Sequence, residues 1–362
     1  MSESSLQTMA SGAPQGLVDA RKWHVIIQIP CLNEEETLPA VLADIPADLP
    51  HVRFETLLID DGSTDRSVEI ARELGVNYIV QHRGRKGLPT AFQSGIDAAL
   101  KLGADIIVNT DGDHQYPGSS IPDLVAPIIE GRADIVIGDR QTANVAHFSR
   151  QKKILQQIGS WVVRAASDTD VPDAPSGFRA YAKEAALRLY VTSEFSYTIE
   201  NLIQAGKRRL NVTHISITTK PTRPSRLHRG NWNFVKRQGA TIIRTYAQYE
   251  PLKTFTYLAL PFLLIGAALL LRFLIAYFFD PGLTFQRYLQ SVFIGGILML
   301  SGILTFFIGI LADLSGSNRR LNEEVLYRLR NLEVDMATKY RELERQIEFA
   351  RPELEEAHPP ER

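Results

Sequence analysis

Val108-Asn109-Thr110-Asp111-Gly112-Asp113-His114-Gln115-Tyr116-Pro117 decides how the chain is read. A short apolar run, Ile106-Ile107-Val108, ends in two carboxylates separated by one glycine. A run that is short, β-branched and bounded by turn residues predicts a buried strand of a parallel sheet. Ligands of such sheets bind beyond the carboxyl ends of the strands, where Asp111 and Asp113 would sit. Two acids on one tight turn repel each other unless a cation lies between them, and hard oxygen ligands suit Mg2+ or Mn2+. On the tripeptide alone, an ordinary polar turn is an equal reading. An EF-hand loop is excluded, because Tyr116 stands where glycine is required and Pro122 where the bidentate glutamate belongs.

Outward from this stretch, apolar runs alternate with helical patterns. Val25–Pro30, Phe54–Ile59, Tyr78–Val80, 105–108 and Asp134–Gly138 read as strands. Helices are expected from Asn33-Glu34-Glu35-Glu36 through Ile45, and over 66–74, 89–101 and 119–130. That alternation predicts an open, mostly parallel α/β sheet. The glycine-rich turn of a dinucleotide fold is missing, since Pro30-Cys31-Leu32-Asn33-Glu34 follows the first strand. Acids end three of the strand-end turns: Glu34, Asp60/Asp61 and Asp111/Asp113. Acids cannot hold phosphate directly, but they hold sugar hydroxyls, base N–H groups and a metal that in turn holds phosphate. The pattern suits a nucleotide whose diphosphate is carried by a cation.

The 362 residues are enough for roughly two domains, and the net charge of −1 gives no global attraction to nucleic acid. The single cysteine, Cys31, excludes an internal disulfide and suits a reducing compartment. Residues 1–22 and 351–362 are expected to be disordered tails, the first without the apolar core of a signal peptide. Mean hydropathy is −0.09, yet two long apolar runs are concentrated late in the chain. Thr254–Phe279 is broken only by Arg272, and Leu289–Leu311 carries no charge. Each is long enough to span a hydrocarbon core of about 30 Å. Asp280-Pro281-Gly282 would form the turn between them. Residues 229–252 mix Trp232, Phe234 and Tyr246 with Lys236, Arg237 and Arg244, as an interfacial amphipathic helix does. From Lys220 to Lys253 the only acid is Glu250, and Arg319-Arg320 follow the second run. Basic residues on both flanks predict that the α/β domain lies on the cytoplasmic face.

Beyond the spans of 253–313, a charged stretch over 314–350 contains Leu321, Val325, Leu329, Leu332, Met336, Tyr340, Leu343 and Ile347. Spacings of four, four and three give a period near 11 residues and a straight or right-handed helical seam. A homo-oligomer through this seam and a solvated single helix are both compatible with it.

Five motifs together resemble the family-two glycosyltransferases of the GT-A fold, most closely the polyprenyl-phosphate glycosyltransferases. They are Ile29-Pro30 with Asn33-Glu34, Asp60-Asp61-Gly62-Ser63, Asp111-Gly112-Asp113 with Gln115-Tyr116-Pro117, Gly138-Asp139-Arg140, and Ser176-Gly177-Phe178-Arg179-Ala180. The likeness covers about residues 24–325. It implies a GT-A domain over 23–228 that transfers a sugar, with inversion, from a nucleotide-diphosphate sugar to a polyprenyl phosphate lipid. It assigns Pro30, Leu32, Glu34, Ile59 and Asp61 to the nucleotide pocket, with Gly112, Ser176 and Arg223 also in the nucleotide-sugar site. Asp111 and Asp113 would hold the metal, with Gln115 as an added ligand. Arg140 would lie near the sugar and phosphates, and Lys220 and Arg226 would clasp the diphosphate. The family's Arg and Lys are exchanged at these last two positions, which keeps the charge but changes the geometry. Over 147–168, Arg150, Lys152 and Lys153 would receive the acceptor phosphate. Asp173 and Glu200 are possible bases, but a phosphate monoester is already largely ionised at neutral pH and needs none. The acceptor motif Gln-x-x-Arg-Trp of polysaccharide synthases is absent.

Overall fold

A computed structural model describes residues 22–141, 163–164, 167–192, 197–220, 244, 246–279 and 285–357. Arg150, Lys152, Lys153, Arg223 and Arg226 lie outside these residues, as do the turn at 280–282 and most of the expected interfacial helix. The catalytic half is a seven-stranded sheet: β1 (Trp23–Cys31), β2 (Val52–Asp60), β3 (Tyr78–Gln81), β4 (Ile106–Asn109), β5 (Ile135–Asp139), β6 (Arg179–Ala182) and β7 (Val212–Ser216), in the spatial order 3-2-1-4-6-5-7. All neighbours pair in parallel except β6, which runs antiparallel to both β4 and β5. The expectation of a mostly parallel sheet therefore holds, with one reversed strand.

Helices α1 (Leu38–Ala43), α2 (Ser67–Glu73), α3 (Leu88–Lys101) and α4 (Ile121–Ile129) cover the faces of the sheet. Two fully buried clusters result. Ile26, Leu57 and Ile107 pack on one face with Phe92 and Ile96 of α3; Ile27, Leu58 and Val108 pack on the other with Leu38 and Leu124. Helix α1 starts later than its acidic run implied, because Asn33 adopts a left-handed φ of 56° and Glu34 O accepts the amides of Thr37 and Leu38. Helices α5 (Lys183–Arg188) and α6 (Tyr197–Lys207) complete this half.

Two further helices, α7 (Pro251–Phe279) and α8 (Phe285–Ala357), are long and apolar enough to cross a membrane. Large side chains such as Leu264, Phe279, Phe293 and Phe307 point outward. The helices approach closely where glycine removes bulk, as small residues allow between membrane helices. A Cβ on Gly295 would stand 3.2 Å from Gly266 O, and one on Gly302 would stand 2.7 Å from the Leu263 side chain.

The second apolar run and the charged stretch after it form one uninterrupted helix. It continues to Ala357, into the segment expected as a tail, because Glu, Leu and Ala are good helix formers. Its charged part lies along the catalytic domain. The buried Arg330 donates to the carbonyls of Ala186, Leu187 and Leu189 and to Asp97 at 2.7 Å. Tyr327 donates to Glu184, and Arg208 pairs with Glu323 at 3.0 Å.

Candidate active site

Strand β4 delivers the acidic turn to the carboxyl edge of the sheet. Its last residue, Asn109, is fully buried and acts as a junction. The Asn109 side chain accepts from Gln28 Nε2 at 2.8 Å, and its Nδ2 donates to Gly177 O at 2.8 Å and to the Tyr197 hydroxyl at 3.0 Å. The Gly177 amide donates to the Tyr116 hydroxyl at 3.1 Å. Tyr116 stacks on Phe178, and Tyr197 stacks on Phe92. The 173–178 loop is thus fastened across the turn from both sides. Beneath it the fully buried Arg179 donates to the carbonyls of Ala174, Ser176 and Thr198. The Ser176 hydroxyl is spent on Gly138 O at 2.7 Å.

The turn after β4 is shaped by its neighbours. Gly112 sits in a tight place: a Cβ would lie 3.2 Å from Glu34 Cγ and 3.4 Å from Pro30 O. Thr37 Oγ1 donates to Gly112 O at 2.7 Å and lies 3.0 Å from the Glu34 carboxylate, the alternative acceptor of its single proton. His114 takes a left-handed φ of 57°, and the Gln115 amide donates to Asp113 at 3.1 Å. Gly177 fits against Asp111, since a Cβ there would be 3.3 Å from both carboxylate oxygens.

Burial, then the negative charges of Asp113 and Glu34, push Asp111 up from 3.8 to about 7; only Arg140 opposes them. The turn therefore resists a second negative charge when no cation is bound. Among the described residues no group of three or more His, Cys, Asp or Glu is arranged to hold a metal. Two carboxylates and an amide fit a hard cation that draws its remaining ligands from water and phosphate, as Mg2+ commonly does. Asp111, Asp113 and Gln115 are the residues that would hold it.

Arg140 stands at the end of β5 and is held by Asp173 through Nε at 2.7 Å and Nη2 at 2.8 Å. Asp173 is the larger influence that raises the Arg140 pKa against its burial, and Tyr116 and Asp111 act in the same direction. The pair is nearly enclosed, with side-chain exposures of 14% and 1%. Asp173 is committed to this arginine. Glu200, the other possible base, accepts from Thr192 N and Oγ1 and from Gln204.

Lys220 comes to the turn from the end of the described catalytic domain. Its amide donates to Gln115 O at 3.0 Å, and its ammonium lies 2.8 Å from both Asp44 and His114. That ammonium and the Gly118 amide hold Asp44 below the usual carboxylate range.

On the β1–β2 side of the turn, the loops after β1 and β2 are stitched together. The Asp61 amide donates to Cys31 O, the Asn33 amide to Ser63 Oγ, and the Glu34 amide to Ser67 Oγ. Pro30 and Ile59 are register partners on β1 and β2. The Ile59 side chain is fully buried under α3, while Leu32 and Glu34 are half-buried. Asp61 is buried and accepts from the amides of Lys86 and Gly87 and from His82. It therefore fixes the basic turn Gly84-Arg85-Lys86-Gly87 against the loop after β2.

The structure thus gathers Pro30, Glu34, Asp111, Gly112, Asp113, Gln115, Arg140 and Lys220 around one turn. Sequence reading missed Asn109, Tyr116, Tyr197, Arg179, Asp44 and His82 as its supports. Asn109 and Tyr116 flank the acidic turn and carried a signal; the others join through distant chain segments.

The sequence model of Glycosyl transferase family 2 matches residues 26–189. An uncharacterized glycosyltransferase of Mycobacterium tuberculosis is 33% identical over 199 residues, covering 54% of this chain and 85% of that one. The dolichyl-phosphate hexose transferase of Haloferax volcanii is 31% identical, covering 51% of this chain and 78% of its own length. Among solved structures, glucosyl-3-phosphoglycerate synthase of M. tuberculosis, in complex with Mn2+, UDP-glucose and phosphoglyceric acid, is similar in fold. The TM-score is 0.51 at 20% identity, over 66% of this chain and 86% of that one. A GT-A sheet with its paired-acid turn at the carboxyl edge, and kinship of this extent, place the chain in glycosyl transferase family 2.

Proposed function

We propose that this enzyme transfers a sugar, with inversion, from a nucleotide-diphosphate sugar to a polyprenyl phosphate at the cytoplasmic face of a membrane. The observation that carries the reading is the Asp111–Asp113 turn, closed over by the 173–178 loop, in a chain that also carries two membrane-length apolar helices. Relatives named for dolichyl-phosphate transfer support the acceptor class. The UDP-glucose and Mn2+ held by the structural relative support the donor class and the cation.

In this reading a phosphate oxygen of the lipid attacks the anomeric carbon. The bond from that carbon to the diphosphate breaks, and the nucleoside diphosphate leaves with the bonding electrons. Asp111 and Asp113, with Gln115, would hold a divalent ion, which when bound would supply charge neutralisation for the departing diphosphate. Lys220 stands beside the turn; the family resemblance assigns it, Arg223 and Arg226 the role of clasping the diphosphate, and Arg140 that of meeting the sugar. Arg150, Lys152 and Lys153 receive the acceptor phosphate, whose own charge makes it the nucleophile. Positioning and electrostatics carry the catalysis.

The test incubates purified full-length protein with UDP-, GDP- and TDP-sugars, short-chain polyprenyl phosphate, and Mg2+ or Mn2+. A glycosyl phosphoprenol from one donor is the expected product. Nucleotide-sugar hydrolysis without lipid glycosylation, across the panel, would reject the acceptor assignment.

A further inference from the structure

The charged half of α8 has two working faces, and only one is used. Its inner face docks on the catalytic domain through Arg330, Val334 and Arg341. Its outer face carries Val325, Leu329, Leu332, Met336, Tyr340 and Leu343, each more than half exposed: 54%, 58%, 56%, 62%, 65% and 53%. Scattered exposed apolar residues need no explanation, but a continuous stripe marks a contact surface. These residues lie beyond the apolar part of α8, so lipid tails do not cover them.

The 11-residue spacing corresponds to about 98° per residue, which keeps the stripe straight along one face over the whole length. On that wheel Arg328 and Lys339 flank the stripe on one side, and Glu333 and Glu344 flank it on the other. Two parallel copies related by a two-fold axis along the helices bring the basic flank of each against the acidic flank of the other. Arg328, paired with Glu324 of its own helix at 2.8 Å, then faces the second copy's Glu333, which is itself paired with Lys101 at 2.6 Å, and Lys339 faces its Glu344, a five-residue offset on both sides of the seam. Flanking charges of this kind set partner choice and orientation in coiled helices. An antiparallel pair would oppose like charges instead. The continuity of this segment with the apolar part of α8 imposes the parallel arrangement, if those helices cross a membrane as proposed above.

We infer that the outer face of α8 is the seam of a parallel homodimer, in which a second copy of this chain covers the 325–343 stripe and the catalytic domains splay to the outside. The inner face is already occupied in each copy, so pairing needs no rearrangement of the active site.

The test uses the full chain in lipid vesicles, with the buried native thiol of Cys31 left in place and the parent protein as the crosslinking blank. Leu332→Cys, on the stripe, is expected to give a disulfide-linked dimer on mild oxidation; Asp335→Cys, off the stripe, is expected to give none. Arg328→Glu with Lys339→Glu should abolish co-purification of two differently tagged copies. Pairing that doubly reversed copy with one bearing Glu333→Lys and Glu344→Lys should restore it. Equal crosslinking at 332 and 335, no crosslinking at 332, or indifference to charge reversal would each overturn the seam. Transfer activity measured on the same samples separates this outcome from failure of the enzymatic reading, because neither set of substitutions touches the site.

Discussion

Gly177 sits directly against Asp111: a Cβ at residue 177 would lie 3.3 Å from both carboxylate oxygens and 2.9 Å from the Tyr197 hydroxyl. The loop that closes the site is therefore held at a distance only glycine permits. Gly177→Ala should displace either the loop or the acid. Misplacement on the scale of an ångström costs up to about a hundredfold in turnover. The expected result is a loss of that order in kcat with little change in thermal unfolding, read by a transfer assay beside a melting curve.

The Arg140–Asp173 pair is nearly closed to water and bidentate. Removing one partner of such a pair leaves an uncompensated charge, at a cost of about 3 kcal/mol. Asp173→Ala should lower the denaturation midpoint accordingly and free Arg140 to swing toward Asp111. Arg140→Lys keeps the charge but loses the fork, and should lose activity with a smaller loss of stability. Chemical denaturation of both variants distinguishes the two effects.

Asp111 gives a pH signature. Its pKa is raised from 3.8 to about 7 by burial and by its acidic neighbours. Between those values the folded chain keeps a proton that the unfolded chain has released, so this group lowers stability as pH rises, with the full penalty present above about pH 7. Asp111→Asn removes the penalty. In metal-free protein it should raise the melting temperature at about pH 8 and do so less at about pH 5. The same variant should lose the stabilisation that Mn2+ with a nucleoside diphosphate gives the parent protein.

The first five strands and the acidic turn were legible because they rest on local signals: apolar runs of the right length, each ended by turn residues. Strand β6 was not. Arg179-Ala180-Tyr181-Ala182 has no β-branched run, and it is a strand only because β4 and β5 leave a gap that it fills in reverse. Arg179 is legible in sequence only as part of the fifth motif, and its burial under three carbonyls appears only in the fold. Asn109 and Gly177 are 68 residues apart, and no periodicity joins them. The apolar periodicity over 321–347 was visible as a pattern. Which face docks inward was not, because the docking residues are largely arginines that look solvated until their carbonyl partners are in place.

The central claim is that the paired acids after β4 hold the cation that offsets charge on the leaving diphosphate. The direct measurement is single-turnover sugar transfer by Asp113→Asn, with Mn2+ titrated and folding checked by melting temperature. A loss of roughly a thousandfold, or about 4 kcal/mol of transition-state stabilisation, with an unchanged fold is the predicted result. Parent-level transfer by Asp113→Asn at the same Mn2+ concentration would contradict it.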